Sequence, residues 1–220
     1  MLILFIRREL IANWRNPQSI IQPLVFFALT LCLFPISLGA DNQALQNSAP
    51  AALWLALLLA TLLGAEQLLR SDFNDGTLSQ DRIHLEDLWL SIAAKIIATW
   101  LRFILPLLLC LPLFAFMLHI PLGVLPQLTV LLMLGSLCLL LTGTIGATLT
   151  LGESHNSFLL FLIVVPFYIP TLIIGVQATH DVLLGFSGTG QMALLGALML
   201  FSLLIALPFS SMAIKAQALP

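Results

Sequence analysis

The sequence predicts an all-α integral membrane protein: six transmembrane helices preceded by an N-terminal interfacial amphipathic helix. Three observations carry this. The 220 residues are 60% hydrophobic and 8% charged, against about 25% charged in a soluble domain, so the chain cannot cover a water-facing surface. Six apolar stretches, about 20–39, 50–69, 93–118, 126–150, 157–176 and 191–212, are each long enough to cross a bilayer, since roughly 20 apolar residues in a helix span the hydrocarbon layer. The eight basic residues are placed asymmetrically. Arg7, Arg8 and Arg15 precede the first stretch, Arg70, Arg82, Lys95 and Arg102 cluster around the polar segment after the second, and Lys215 follows the last. None falls in 40–50, 119–126 or 177–190. Cytoplasmic loops retain Lys and Arg, so both termini are expected in the cytoplasm and these three short loops outside. Residues 1–220 then form a single membrane domain.

Residues 1–17 are too short and too charged to span. Ile3, Ile6, Leu10 and Trp14 recur at helical spacing, Arg8, Ala12 and Arg15 share another face, and Pro17 ends the pattern. This predicts a helix lying in the interface with Trp14 at headgroup depth; a disordered tail is the competing reading. The first stretch resembles a signal peptide in its basic start and small-residue end. Its length of roughly 20 residues favours a retained helix. Helices are expected throughout because lipid offers no partner to a backbone amide or carbonyl.

Proline recurs within the spans, at Pro35, Pro106, Pro112, Pro166, Pro170 and Pro208. Each removes a helix hydrogen bond, and Pro166 with Pro170 is expected to break or bend the fifth span. Gly143, Gly146 and Ala147 put small residues on one side of the fourth, which favours close helix contact. Cys32, Cys110 and Cys138 sit in apolar runs, form no C-x-x-C pair, and read as packing residues.

One polar island stands apart. Residues 66–87 hold Glu66, Asp72, Asp75, Asp81, Glu86 and Asp87, six of the ten acids. Asp75-Gly76 is a turn signal, and Thr77 with Gln80 fits a capping box that starts a short helix through Leu78, Arg82 and Ile83. A second helix is expected to start near Glu86-Asp87 and to run through Lys95 and Arg102 into the third span. The segment 70–90 thus has the shape of a cytoplasmic docking loop; a solvated connector is the bland alternative. Glu66, four residues before Arg70, is in the favourable order for a helical ion pair at the membrane boundary. Arg102, seven residues after Lys95, either snorkels to the interface or lines a polar vestibule between subunits.

Several chemistries are excluded or disfavoured. No G-x-x-x-x-G-K-[ST] and no H-E-x-x-H occurs, so nucleotide binding by a P-loop and zinc hydrolysis have no motif here. No nucleophile–base pair stands out, since Ser210 and Ser211 near Lys215 read as a helix end. The chain is expected not to be an enzyme and to hold no metal. The net charge of −2 argues against nucleic acid. His84, His119, His155 and His180 are scattered; His119 and His180 are expected in external loops, where a histidine is able to ligate haem iron, although each is more simply a loop residue.

Six spans, a leading interfacial helix, a polar docking loop after span two and no ATPase motif resemble an ABC-2-type permease subunit. Phe34-Pro35-Ile-Ser-Leu-Gly39 is similar to the Phe-Pro-x-x-x-Gly signature of the haem exporter protein B family (CcmB) of cytochrome c maturation. Glu66-x-Leu-Leu-Arg70-x-Asp72-x-x-Asp75-Gly76-x-Leu78, Arg8-Glu9-Leu10 and Pro23-Leu-x-Phe-Phe27 also resemble that family. Ser79 departs from it where a Glu commonly stands, and His84–Trp89 replaces a Leu-Pro-rich stretch.

The resemblance implies a membrane subunit, homodimeric within its complex, working with a cytoplasmic ABC ATPase, a haem-handling membrane protein with a Trp-rich external motif, and a periplasmic haem chaperone. ATP would act through the ATPase, with Asp75, Gly76, Thr77, Leu78, Gln80, Arg82 and Ile83 as the docking element. Haem would be the transferred ligand rather than a resident cofactor, and Trp14, Trp54, Trp89 and Trp100 do not form the Trp-rich motif. The competing functions are an ABC-2 export permease for another amphiphile or glycan, and a non-transporting membrane scaffold.

Overall fold

A computed structural model describes residues 18–39, 41–74, 88–150 and 157–216, with side-chain surroundings for 21–39, 41–66, 89–150 and 160–213. Six helices account for almost all of it: α1 (Gln18–Leu38), α2 (Asn42–Asn74), α3 (Leu88–Met117), α4 (Leu125–Leu149), α5 (Ser157–Leu183) and α6 (Thr189–Ala216). A single 3-10 turn, Leu122–Val124, leads into α4. All six helices are long and apolar enough to cross a membrane, and among the described residues there is no strand. The protein is an all-α integral membrane protein. The expected interfacial helix at 1–17 lies outside the described residues.

The helices outrun the expected spans because polar residues near their ends join them. The segment 40–50, expected as an external loop, is helical from Asn42. Asp41 makes that start: its Oδ1 accepts the backbone N–H groups of Gln43 (3.0 Å) and Ala44 (3.2 Å), the usual satisfaction of orphan donors at an N-cap. Leu45 and Ala49 are buried in the same stretch, so packing holds it. The expected loop 177–190 is likewise helical through Leu183 and again from Thr189. The helix of the third span begins at Leu88 rather than 93, beside the start expected near Glu86-Asp87, and runs through Lys95 and Arg102. Residues 70–74 of the expected docking loop continue α2, and 88–90 belong to α3.

Short turns close three hairpins. Gly39, at φ +70°, ends α1, its amide bonding Pro35 O at 3.0 Å. Gly185, at φ +88°, ends α5, with Phe186 N–H reaching back to Asp181 O (3.0 Å) and Gly185 N–H to Val182 O (3.1 Å). The same Schellman pattern ends α3, where Ile120 N–H bonds Ala115 O (2.8 Å) and His119 N–H bonds Phe116 O (3.2 Å). There the left-handed position is filled by His119 at φ +55° instead of glycine.

Register follows from which residues meet. Cys138, thirteen residues from Leu125, lies 3.6 Å from Ser202 Oγ, thirteen residues from Thr189, and 3.3 Å from Thr171 Oγ1, twelve residues from Leu183. Cys32 near the end of α1 meets Met117 at the end of α3, and Phe27 stacks edge-to-face on Phe114. These meetings bring the halves of the helices nearest the three turns together, so the turns share one end of the bundle, called the hairpin end below. α4 packs against α2, α3, α5 and α6, and α1 packs chiefly on α2. α2 and α4 are the most enclosed helices, whereas α1 and α6 expose most of their apolar surface.

Small residues permit the central contacts. A Cβ on Gly146 would overlap Val164, and one on Gly143 would lie 2.6 Å from the Tyr168 hydroxyl and 2.7 Å from Ala65 Cβ. The expected close approach on the Gly143–Ala147 side of the fourth span is therefore present, to α5 and α2. α5 runs as one helix through Pro166 and Pro170, so of the expected break or bend the structure shows no break. Val164, Tyr168 and Thr171 are buried across that stretch, and this packing keeps the helix together despite the two missing amide donors.

Candidate functional site

Polar side chains inside a membrane are costly and tend to mark function or helix contact. In this bundle they are arranged by depth. At the hairpin end, the Asp181 carboxylate on the last turn of α5 accepts a hydrogen bond from Gln177 Nε2 (2.9 Å) and another from Gln191 Nε2 on α6. His180 Nδ1 lies 3.9 Å from the same carboxylate, its ring half-exposed. His180 was expected in a loop, but it belongs to the helix.

One level deeper, the buried indole of Trp54 on α2 lies between Gly135 of α4 and Gly175 of α5, where a Cβ on either glycine would overlap the ring. Its Nε1–H donates to Thr179 Oγ1 at 2.8 Å. Trp100 on α3 similarly donates to Ser136 Oγ on α4 at 3.0 Å, and Ser136 donates to Met133 O at 3.0 Å. Cys138 with Thr171 and Ser202 ties α4 to α5 and α6. Below these, the buried Tyr168 hydroxyl rests against Gly143 with no hydrogen-bond partner among the described residues. The sequence reading missed the Trp54 seat. Its only local trace was a tryptophan and two glycines on separate apolar runs, and nothing in a single sequence pairs them.

The charged groups come last. Arg102 is near the middle of α3, with buried Nε and Nη1 atoms. Lys95 on the same helix is 7% exposed. Glu66 on α2 and Lys95 on α3 sit roughly 36 and 33 Å from the hairpin ends of their helices at ~1.5 Å per residue, which is about the full depth of a bilayer core. Glu66 and Arg70 are four residues apart on the continuous α2; the Arg70 side chain is outside the described surroundings. Asp75, Gly76, Thr77, Leu78, Gln80, Arg82 and Ile83, with His84 and His155, lie outside the described residues. Among the described residues no group of three or more His, Cys, Asp or Glu gathers to hold a metal.

Comparison with known proteins matches this arrangement to one family. The model of the family described as CcmB protein matches residues 1–217. Heme exporter protein B of Pseudomonas aeruginosa is 41% identical over 207 residues, covering 94% of this chain and 92% of that protein. Heme exporter protein B of Haemophilus influenzae is 39% identical over 194 residues, 88% of each chain. The Escherichia coli protein of the same name is 35% identical over 193 residues, again 88% of each. With six membrane-length helices and a family match over residues 1–217, the chain belongs to the CcmB protein family.

Proposed function

We propose that this protein is the membrane subunit of an ABC-type complex for haem delivery in c-type cytochrome biogenesis. The observation that carries the reading is family membership across residues 1–217, joined to relatives named heme exporter protein B at 35–41% identity. In this reading both termini lie in the cytoplasm and the hairpin end faces the periplasm of a bacterial inner membrane, as the Lys and Arg distribution requires. The chain hydrolyses nothing itself. A cytoplasmic ATPase binds the 75–83 segment, and its cycle moves the helices to which that segment is joined, α2 and α3. A haem-handling membrane protein and a periplasmic haem chaperone meet the bundle elsewhere, and two copies of the chain work together. Haem is the cargo and not a resident group.

The coupling argument is mechanical. Nucleotide chemistry outside the membrane reaches the spans only through a rigid element, and Thr77–Ile83, whose sequence fits a capping box, lies along the chain between two long helices. Replacing Leu78 and Ile83 with Asp is expected to abolish recovery of the ATPase with the tagged chain while the chain stays in the membrane. Unchanged recovery overturns the docking role. Recovery of no ATPase by the unaltered chain overturns the complex.

A further inference from the structure

α5 is held unequally along its length. Its half nearest the hairpin end is tied to three neighbours. Thr171 meets Cys138 of α4 at 3.3 Å, Gly175 lies against the Trp54 ring of α2, Thr179 accepts the Trp54 indole N–H at 2.8 Å, and Asp181 accepts from Gln191 of α6. The other half has no such ties. From Leu160 to Pro170 the one polar side chain is Tyr168, and its buried hydroxyl has no hydrogen-bond partner among the described residues. Leu160, Val164 and Tyr168 are the buried residues of that stretch, a single stripe laid on Gly146 and Gly143 of α4. The two halves join at Pro166 and Pro170, both on the exposed face. Neither proline has an amide proton to give, so the carbonyls of Leu162 and Pro166 lose their helical donors. The turn between the tied half and the untied half is therefore short of two hydrogen bonds.

We propose that α5 is a hinged lever. The half from Thr171 onward stays fixed, and the half before Pro166 swings on the Pro166–Pro170 turn, parting from α4 along Gly143 and Gly146. The glycines set the direction. Val164 and Tyr168 already fill the space that a Cβ on either glycine would need, so inward movement is blocked. Outward movement displaces only what lies on the exposed face of Phe161, Leu162 and Phe167, and lipid yields there. Tyr168 sets the balance between the two arrangements. A buried hydroxyl without a partner raises the free energy of the closed arrangement. Water that enters the parted seam serves that hydroxyl, so opening recovers part of what the lost packing costs. A helix with a proline-weakened turn and one loosely held arm is a hinge of the ordinary kind. The proposal needs neither partner nor cargo. In the haem-delivery reading, the seam opens at the end of the bundle that the ATPase faces.

The test uses the full chain in lipid nanodiscs without partner proteins. Cys32 and Cys110 are replaced by Ala, and the buried Cys138 is kept. Nitroxide labels are placed at exposed positions: Val130→Cys on the hairpin half of α4, paired with Phe161→Cys on the swinging half of α5 or with Ile173→Cys on the fixed half. Electron–electron distance measurement is expected to give two populations for the Phe161→Cys pair and one for the Ile173→Cys pair. Pro166→Ala with Pro170→Ala restores both amide donors and should leave only the shorter distance. Tyr168→Phe removes the penalty of the closed arrangement and should shrink the longer population several-fold. A disulfide supplies the converse. A Cβ on Gly146 lies 3.6 Å from Val164 Cβ, within the usual disulfide range, so oxidised Gly146→Cys with Val164→Cys should abolish the longer population and reduction should return it. A single distance for the Phe161→Cys pair overturns the proposal. So does an equal spread for the Ile173→Cys pair, which would mean that α5 moves as one body, and so does a longer population untouched by the two proline replacements. None of these outcomes bears on ATPase recovery, so failure of the hinge is distinct from failure of the haem-delivery complex.

Discussion

The indole N–H of Trp54 on α2 donates to the hydroxyl of Thr179 on α5 at 2.8 Å, across 125 residues of chain. The ring sits in the space left by Gly135 and Gly175, so one side chain holds three helices in register near the hairpin end. Thr179→Val keeps the shape and removes the acceptor. It is expected to cost about 1 kcal/mol, the scale of a hydrogen bond between membrane helices. Gly135→Ala and Gly175→Ala force the ring to move and are expected to cost more, about 1–3 kcal/mol as overpacking does. Thermal unfolding of the purified chain in detergent checks the order. Alanine at Gly135 as stable as the unaltered protein would remove Trp54 from this role.

Tyr168 is the contrasting case. Its hydroxyl is buried without a hydrogen-bond partner among the described residues, so within them it contributes desolvation cost and no bond. Tyr168→Phe is expected to be neutral or stabilising by up to about 1 kcal/mol, whereas Gly143→Ala, which would press a methyl to 2.6 Å from that oxygen, should destabilise. The same unfolding assay decides it. A clear loss of stability in Tyr168→Phe would mean that the hydroxyl has a partner.

The contrast between these residues also explains what the sequence made legible. Six apolar runs and the Gly143–Gly146 spacing are local patterns, and the hydrocarbon thickness gives them one meaning each. The helix ends were misjudged where polar residues continue a helix. Asn42–Ser48 and Gln177–Asp181 look like loop by composition, but Asp41 caps one and Gln191 braces the other. A signal was available for the first, since Asp before a stretch without glycine is an N-cap pattern. The Asp181–Gln191 bond and the Trp54 seat depend on residues from separate runs meeting in space. Periodicity carries no information about that.

Topology is open to direct measurement. Asn42, Leu122 and Thr189 are exposed residues at the three hairpin turns. Single cysteines there, in a chain with Cys32, Cys110 and Cys138 replaced by Ala, are expected to react with a membrane-impermeant thiol reagent added from the periplasmic side. Cysteines at Ser79 and Gln217 should react only after the membrane is permeabilised. Replacing Cys138 removes contacts to Thr171 and Ser202, so the background chain should melt somewhat lower. Reversed labelling would overturn the orientation and the docking role together.

The two histidines at the hairpin end have structural duties that account for them. His119 occupies the left-handed position ending α3, a conformation costing a side-chain-bearing residue roughly 1–2 kcal/mol. Glycine there is expected to hold or raise stability. His180 stands on the last turn of α5, where a basic ring suits the helix dipole, 3.9 Å from the Asp181 carboxylate. Neither is held as an iron ligand must be, by a hydrogen-bonded support that fixes the ring. Asp181 already accepts from Gln177 and Gln191. His119→Gly with His180→Ala is therefore expected to retain most c-type cytochrome maturation in a strain lacking its own copy of the gene, read as haem-stained cytochrome per cell. A severe loss, with normal protein level and normal ATPase recovery, would mean that this end of the bundle touches haem iron directly.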